Sequence, residues 1–236
     1  MYFKSKINLN FMNNKYNEVV IIEALRTPIG VYKGSLRNVK AHQLGSIVIK
    51  EILKKNKIDS HEIDEVIMGQ VLTAGSGQNP ARQAAISAGI PISKPAHIIN
   101  QVCGSGLRAV ISGFQSIKLG EIKTVISGGQ ENMSLAPHSI FYRNEKKFSE
   151  DKLIDTMIND GLIDAFNDYH MGVTAENVAK KFNISRKDQQ EFAINSHTKA
   201  NQARELKNFD DEIVSIHHRD LKINNDGGIR PSTTQE

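Results

Sequence analysis

Apolar residues along this chain follow two rhythms. Short unbroken runs predict strands buried on both faces: Val19-Val20-Ile21-Ile22, Val66-Ile67-Met68, Ala96 to Val102 (broken by His97 and Asn100) and Thr124-Val125-Ile126-Ser127. Between them, apolar positions return every three or four residues, the helical period. Leu44, Ile47, Val48 and Ile52 stripe a helix over about residues 41–55, and Leu107, Val110, Ile111, Phe114 and Ile117 stripe a second, buried one. Arg26-Thr27-Pro28-Ile29-Gly30 reads as a turn and Thr73–Gln78 as a Gly/Ser-rich loop. Asn79-Pro80 reads as an N-cap followed by proline at the first helical position. The short helix after it is nearly all small, with Ala81, Ala84, Ala85, Ser87 and Ala88, a composition suited to close packing. Strands alternating with helices imply an α/β fold, a mostly parallel sheet with covering helices.

The rhythm fades after about Asn132. Residues 133–170 are polar and weakly periodic, a long excursion rather than another strand–helix unit. Thr174 is placed to cap a short helix with Ala175, Val178, Ala179 and Phe182 on one face. Ser185 with Asp188 makes a capping box for a longer helix, Arg186 to about Glu205, with Phe192, Ala193, Ser196, Ala200 and Ala203 on a mostly small face. Asp220 to Glu236 is Asn/Gly/Pro-rich and reads as loop. At the other end Lys4 and Lys6 give a basic start with no apolar core of a signal peptide behind it. Residues 1–14 are expected to be a loose extension, with Met12 a candidate start.

Composition narrows the class. With 39% apolar and 24% charged residues the chain is neither disordered nor built to span a bilayer, and no run approaches the length a membrane helix needs. The net charge of +4 is mild and unclustered, without aromatic–basic interleaving, so nucleic acid is not an expected partner. Ile (29) outnumbers Leu (13) as AT-rich coding would make it, which discourages reading function into the many lysines, Lys146-Lys147 and Lys180-Lys181 included. His138 and the pair His217-His218 lack companions at ligand spacing, so no metal is expected. The single cysteine excludes an internal disulfide and fits a reducing, cytoplasmic compartment.

That cysteine is the candidate nucleophile. Cys103 falls where a strand ends and a helix begins, in Asn100-Gln101-Val102-Cys103-Gly104-Ser105-Gly106. The N–H groups of a first helical turn are unpaired, and their partial positive charge favours the nucleophilic thiolate. Glycines on either side of Ser105 allow a tight turn and close approach of a substrate. The N–H of the cysteine itself is then available to an oxyanion. A lone cysteine is otherwise usually a small buried hydrophobe.

This heptapeptide resembles the nucleophile motif of the thiolases, on the acetyl-CoA acetyltransferase side of that family. Gly128-Gly129-Gln130-Glu131-Asn132-Met133-Ser134 resembles the family's second signature. Glu23–Gly30, Gly77–Gln83 and Tyr169–Asn177 agree with it in order. A decarboxylating ketoacyl synthase shares the fold and the cysteine, but the second signature and the long excursion favour thiolase. The resemblance implies a thiolase-like amino-terminal α/β half over residues 15–131, then an α-rich subdomain over 132–236 that is inserted into it and caps coenzyme A. It implies acyl transfer through a thioester on Cys103, either condensing two acetyl-CoA molecules or running the reverse thiolysis. His170 and Met171 match the family's coenzyme-A-facing segment, against the plain alternatives of a satisfied loop histidine and core filler. The Ala-rich helix over 81–88 matches a segment near the family's subunit interface; an internal contact explains it equally well. No cofactor is implied beyond the coenzyme A thioesters themselves, and a homo-oligomer is implied for the completed enzyme.

The resemblance also has a gap. The family's activating histidine in a Gly-His-Pro motif, its second cysteine in a Cys-x-Gly motif and its water-holding asparagine belong to the carboxy-terminal half and have no match here. The expectation is therefore a fragment, a split enzyme completed by a second chain, or a non-catalytic remnant acting at most as a binding partner, and inactivity for these residues alone. A longer-chain 3-ketoacyl-CoA thiolase remains an alternative activity.

Overall fold

Three parallel strands lay out the molecule. The structure, a computed structural model, describes residues 18–143, 147, 149–218 and 221–233; the expected extension over 1–14, and Lys146, lie outside the described residues. Strand β1 (Glu65–Gly69) is central, flanked by β2 (Ala96–Ile99) and β3 (Val125–Gly129), in the order β2-β1-β3. Val66 and Met68 face one way, into a cluster with Ile49 and Leu53 of α1 (Ala41–Asn56), Ala81, Ala84 and Ala85 of α2 (Pro80–Ala88), and Ile126. Ile67 and Gly69 face the other way by strand alternation, toward α3 (Ser105–Leu119). Helices thus cover both faces of the parallel sheet, and its middle strand is fully buried from Val66 to Gly69.

The caps explain where these helices begin. Asn79 takes a left-handed conformation and its side chain accepts the Arg82 N–H at 3.1 Å, with Pro80 following at the first helical position. The alanines of α2 pack inward against α1 and β1, so an internal contact accounts for its small face.

Three predicted features differ. Val19–Ile22 forms no strand: Val20, Ile21 and Ile22 are exposed, because no described strand lies alongside to satisfy and cover them. In α1 the buried line is Leu44, Ile49 and Leu53, with Ile47 and Ile52 only half-buried. In α3 the difference is larger. Its buried positions are Ser105, Ala109 and Gly113, while Leu107, Val110, Ile111 and Phe114 face outward. The small residues win the sheet-side position because the helix lies so close that a Cβ on Gly113 would come within 2.6 Å of the Ser127 hydroxyl.

Beyond β3 come short strands and helices of six to twenty residues. These are β4 (His138–Ser139) paired antiparallel with β5 (Ile154–Asp155), α4 (Thr156–Gly161), α5 (Met171–Lys181) and α6 (Arg186–Glu205). Ser185 and Asp188 form the predicted capping box. Thr174 lies inside α5, whose N-cap is His170. The expected terminal loop contains β7 (Leu221–Ile223), which pairs antiparallel with β6 (Ile216–His218). Ile216 and Ile223 of that hairpin pack with Leu36, Val39 and Leu44, which explains why a polar stretch turns back into strand.

Arg26 ties the early turn to this late region. Its guanidinium binds both carboxylate oxygens of Asp226, at 2.6 and 2.9 Å, and Glu212 at 2.5 Å. Asp226 Oδ1 also accepts the Ile29 N–H at 2.8 Å. The Arg26 hydrogen bond holds the Asp226 carboxyl below the ordinary range, assisted by the Ile29 N–H and opposed by burial.

Candidate active site

The chain leaves β2 at Ile99 and enters α3 at Ser105, so only five residues make the turn that carries Cys103. The turn depends on Val102, held at φ +47°. A left-handed conformation costs an L-residue about 1–2 kcal/mol, and β-branched residues rarely adopt it. Hydrogen bonds on both sides hold it there. Asn100 Oδ1 accepts the Val102 N–H at 3.0 Å. The Ser105 hydroxyl donates to the Val102 carbonyl at 2.6 Å and accepts the Gln101 N–H at 2.8 Å. Strain over-determined by its surroundings is a mark of functional sites. Cys103 emerges from this turn exposed and unpaired.

Two sequence expectations change here. Gly104 has an ordinary right-handed conformation (φ −84°), so the tight bend is made by Val102 and not by the glycines. The first-turn N–H groups are partly used as well: Gly104 donates to Gln101 O at 3.0 Å and Ser105 to Val102 O at 3.1 Å.

Glycine matters instead in the floor beneath the turn. A Cβ on Gly69 would lie 2.4 Å from the Ser105 carbonyl carbon, and one on Gly129 would lie 3.3 Å from Gly106 Cα. Both strand exits therefore touch the start of α3 backbone to backbone. Gln70 N donates to Ile99 O at 3.1 Å and Gln130 N to Gly69 O at 2.9 Å, which knits the three strand ends together. Glu131 then accepts the Val71 and Leu72 N–H groups at 2.8 and 3.3 Å. Burial pushes its carboxyl pKa up, against those two hydrogen bonds. Beside it opens a cleft of about 190 Å³, lined among others by Lys40, His42, Gln70 and Glu131 but not by Cys103.

His170 and Met171 stand elsewhere. His170 is exposed, and its Nδ1 accepts the Gly172 N–H at 2.9 Å as the cap of α5. The Met171 N–H donates to Leu162 O at 2.8 Å, and the residue is 37% exposed. Among the described residues no hydrogen bond links either one to the Cys103 turn. Asn100, Ser105 and Glu131 act in the site region without having been singled out from sequence. The available signal was a hydroxyl between two glycines, two residues after the candidate nucleophile. Among the described residues no group of three or more His, Cys, Asp or Glu side chains could hold a metal ion, and no helix is long and apolar enough to cross a membrane.

With this geometry in view, the comparisons with known proteins are specific. The model of the thiolase N-terminal domain matches residues 19–236. The chain belongs to the thiolase family. The acetyl-CoA acetyltransferase of Paracoccus denitrificans is 50% identical over 223 residues, covering 93% of this chain and 57% of that enzyme. The cytosolic acetyl-CoA acetyltransferase of Rattus norvegicus is 50% identical over 206 residues, covering 87% of this chain and 52% of that one. The crystal structure of the Bacillus anthracis acetyl-CoA acetyltransferase superposes with a TM-score of 0.86 at 35% identity, covering 91% of this chain and 56% of that one. Thiolase relatives named as enzymes thus match the chain nearly throughout, while the chain spans only a little over half of their length. The α/β thiolase fold expected from the sequence is the one observed.

Proposed function

We propose that this chain is the nucleophile-bearing part of an acetyl-CoA acetyltransferase, with the base and the second cysteine supplied by sequence outside these 236 residues. The observation that carries it is Cys103, exposed on a strained turn at the carboxyl end of a parallel sheet, directly before a helix. In this reading the Cys103 thiolate attacks the thioester carbonyl of an acyl-CoA, forming a sulfur–acyl bond and expelling coenzyme A as a thiolate that takes up a proton. A second acetyl-CoA loses its α-proton to a base; its carbanion attacks the acyl carbon and releases the Cys103 thiolate. Nucleophile and base must act together, so residues 1–236 alone are expected to be inactive.

The outward face of α3 supports a missing complement. Leu107 is 68% and Phe114 48% exposed, an apolar stripe of the sort that another surface normally covers. Residues 132–236 serve in this reading as the cap over coenzyme A, with His170 and Met171 facing it, in a cytoplasmic enzyme that oligomerises when complete.

The test supplies the carboxy-terminal half of the Paracoccus denitrificans relative and follows acetoacetyl-CoA thiolysis. Activity should appear only with both parts. Cys103→Ser should lower it by on the order of 10²-fold or more, and retained turnover would overturn the assignment. His170→Ala should raise KM more than it lowers kcat; a collapsed kcat at constant KM would instead make His170 a catalytic residue.

A further inference from the structure

We propose that Ser105 is a positioning residue that locks the Val102–Cys103 peptide and so sets the direction of the Cys103 N–H. The inference rests on the reading of Cys103 as acyl acceptor, but its structural part can be tested separately.

Ser105 is 4% exposed, an unusual place for a hydroxyl unless both of its hydrogen-bonding roles are used. They are. It donates to Val102 O at 2.6 Å and accepts from Gln101 N at 2.8 Å, bridging the two residues that precede the cysteine. The Ser105 backbone N–H adds a second bond to the same Val102 carbonyl, at 3.1 Å. The described peptides are all trans, and a trans peptide is planar with its N–H opposite its carbonyl. Holding the Val102 carbonyl toward the helix start therefore aims the Cys103 N–H the other way, out of the first turn of α3. An oxyanion formed on Cys103 would meet a donor whose direction Ser105 fixes.

Backbone bonds from Gly104 N to Gln101 O and from Ser105 N to Val102 O close the turn, and Asn100 and Ser105 supply its side-chain bonds. Valine disfavours φ +47°, and its side chain is 51% exposed, so packing does not impose it. Asn100 holds only the N–H side of Val102; the carbonyl is held from Ser105, by its hydroxyl at 2.6 Å and its N–H at 3.1 Å. The helix start cannot slide to compensate, because Gly69 lies against the Ser105 and Gly106 backbone. Glycine accepts the left-handed region without penalty. Val102→Gly should therefore make the serine dispensable, which a serine serving only to fill the core would not allow.

The experiment uses the whole chain with carbonyl-13C valine and 15N cysteine. As the chain has one cysteine, the Val102 carbonyl coupled to the Cys103 nitrogen gives a single NMR signal. Thermal unfolding is recorded alongside, and acetylation of Cys103 by acetyl-CoA is followed by mass spectrometry with the complementing half present. Ser105→Ala should displace the signal and slow acetylation by about tenfold to a hundredfold. Ser105→Ala/Val102→Gly, labelled with carbonyl-13C glycine, should recover the rate to within a few-fold. A Ser105→Ala chain that unfolds but is rescued by the added glycine upholds the lock; one that is unfolded with or without it overturns the lock in favour of plain packing. An undisplaced signal in Ser105→Ala overturns it also. A displaced signal with no acetylation even of the native chain upholds the lock and removes the acyl-acceptor reading.

Discussion

Helices α3 and α6 are built on opposite plans. Helix α6 has a full capping box, with the Ser185 hydroxyl accepting the Asp188 N–H at 3.1 Å, yet none of its twenty residues is buried. Helix α3 begins at Ser105 behind an N-cap, Gly104, that makes no side-chain bond, and it lies backbone to backbone against the strand ends. Capping chemistry decides where a helix starts, whereas small residues decide how closely it can approach a neighbour. Between α3 and α6 the two devices are separated, whereas α2 combines them in its Asn79 cap and alanine face. The sheet region is fixed by backbone contact, and the region after β3 is fixed by local hydrogen bonds and a few long-range ties.

The contrast breaks most severely at Gly69. A methyl group there would meet Ser105 and Gly106 backbone atoms at 2.4–2.7 Å, and no rotamer can relieve it. Gly69→Ala should cost about 3 kcal/mol or more, at the upper end for overpacking, read as a lower urea midpoint for the sheet. An unchanged midpoint would show that α3 is not seated as described.

Next comes the Arg26 clasp, where charge can be titrated. Asp226 has a folded pKa below its unfolded value, so its contribution is full above the unfolded value and is lost as pH falls through the folded one. Asp226→Asn should cost about 1.5–3 kcal/mol at neutral pH, the range for hydrogen bonds to charged groups. It should also flatten the loss of stability on acidification below the ordinary carboxylate range. Glu131 works in the opposite sense. Its raised pKa favours the folded state at low pH, and that contribution fades as pH rises through the folded value. The Asp226→Asn comparison isolates the clasp because Glu131 is present in both proteins.

The smallest effects should fall on α6. Ser185→Ala should remove about 1 kcal/mol, seen as faster amide exchange in α6 with that of β1 unchanged. Phe192, 77% exposed, should tolerate alanine within about 0.5 kcal/mol. A loss of several kcal/mol at Phe192 would mean that α6 contributes to a core after all.

The same separation explains what could be read from the residues alone. Strands β1 to β3, the Asn79-Pro80 start of α2 and the Ser185–Asp188 box were legible because each signal is complete within a few neighbours. The outward turn of Leu107, Val110 and Phe114 was not. Periodicity identifies an apolar face but not the surface that covers it, and the sheet selected Ala109 and Gly113 by distance. Val19–Ile22 misled for the same reason, since an apolar run becomes a strand only where a neighbour offers hydrogen bonds. Within the site, the cysteine and its strand–turn–helix setting were visible. The left-handed Val102 was not, because valine is among the last residues that local preference would put there.

The Arg26–Asp226 pair joins residues 200 positions apart in the chain. Closing so long a loop is entropically expensive, and it cannot happen until the later residue exists. At synthesis rates of about 5–20 residues per second, Arg26 waits roughly 10–40 s for its partner. The sheet, complete by Gly129, can assemble in that interval, while the apolar Val20-Ile21-Ile22 stretch beside Arg26 stays open to whatever the nascent chain meets first.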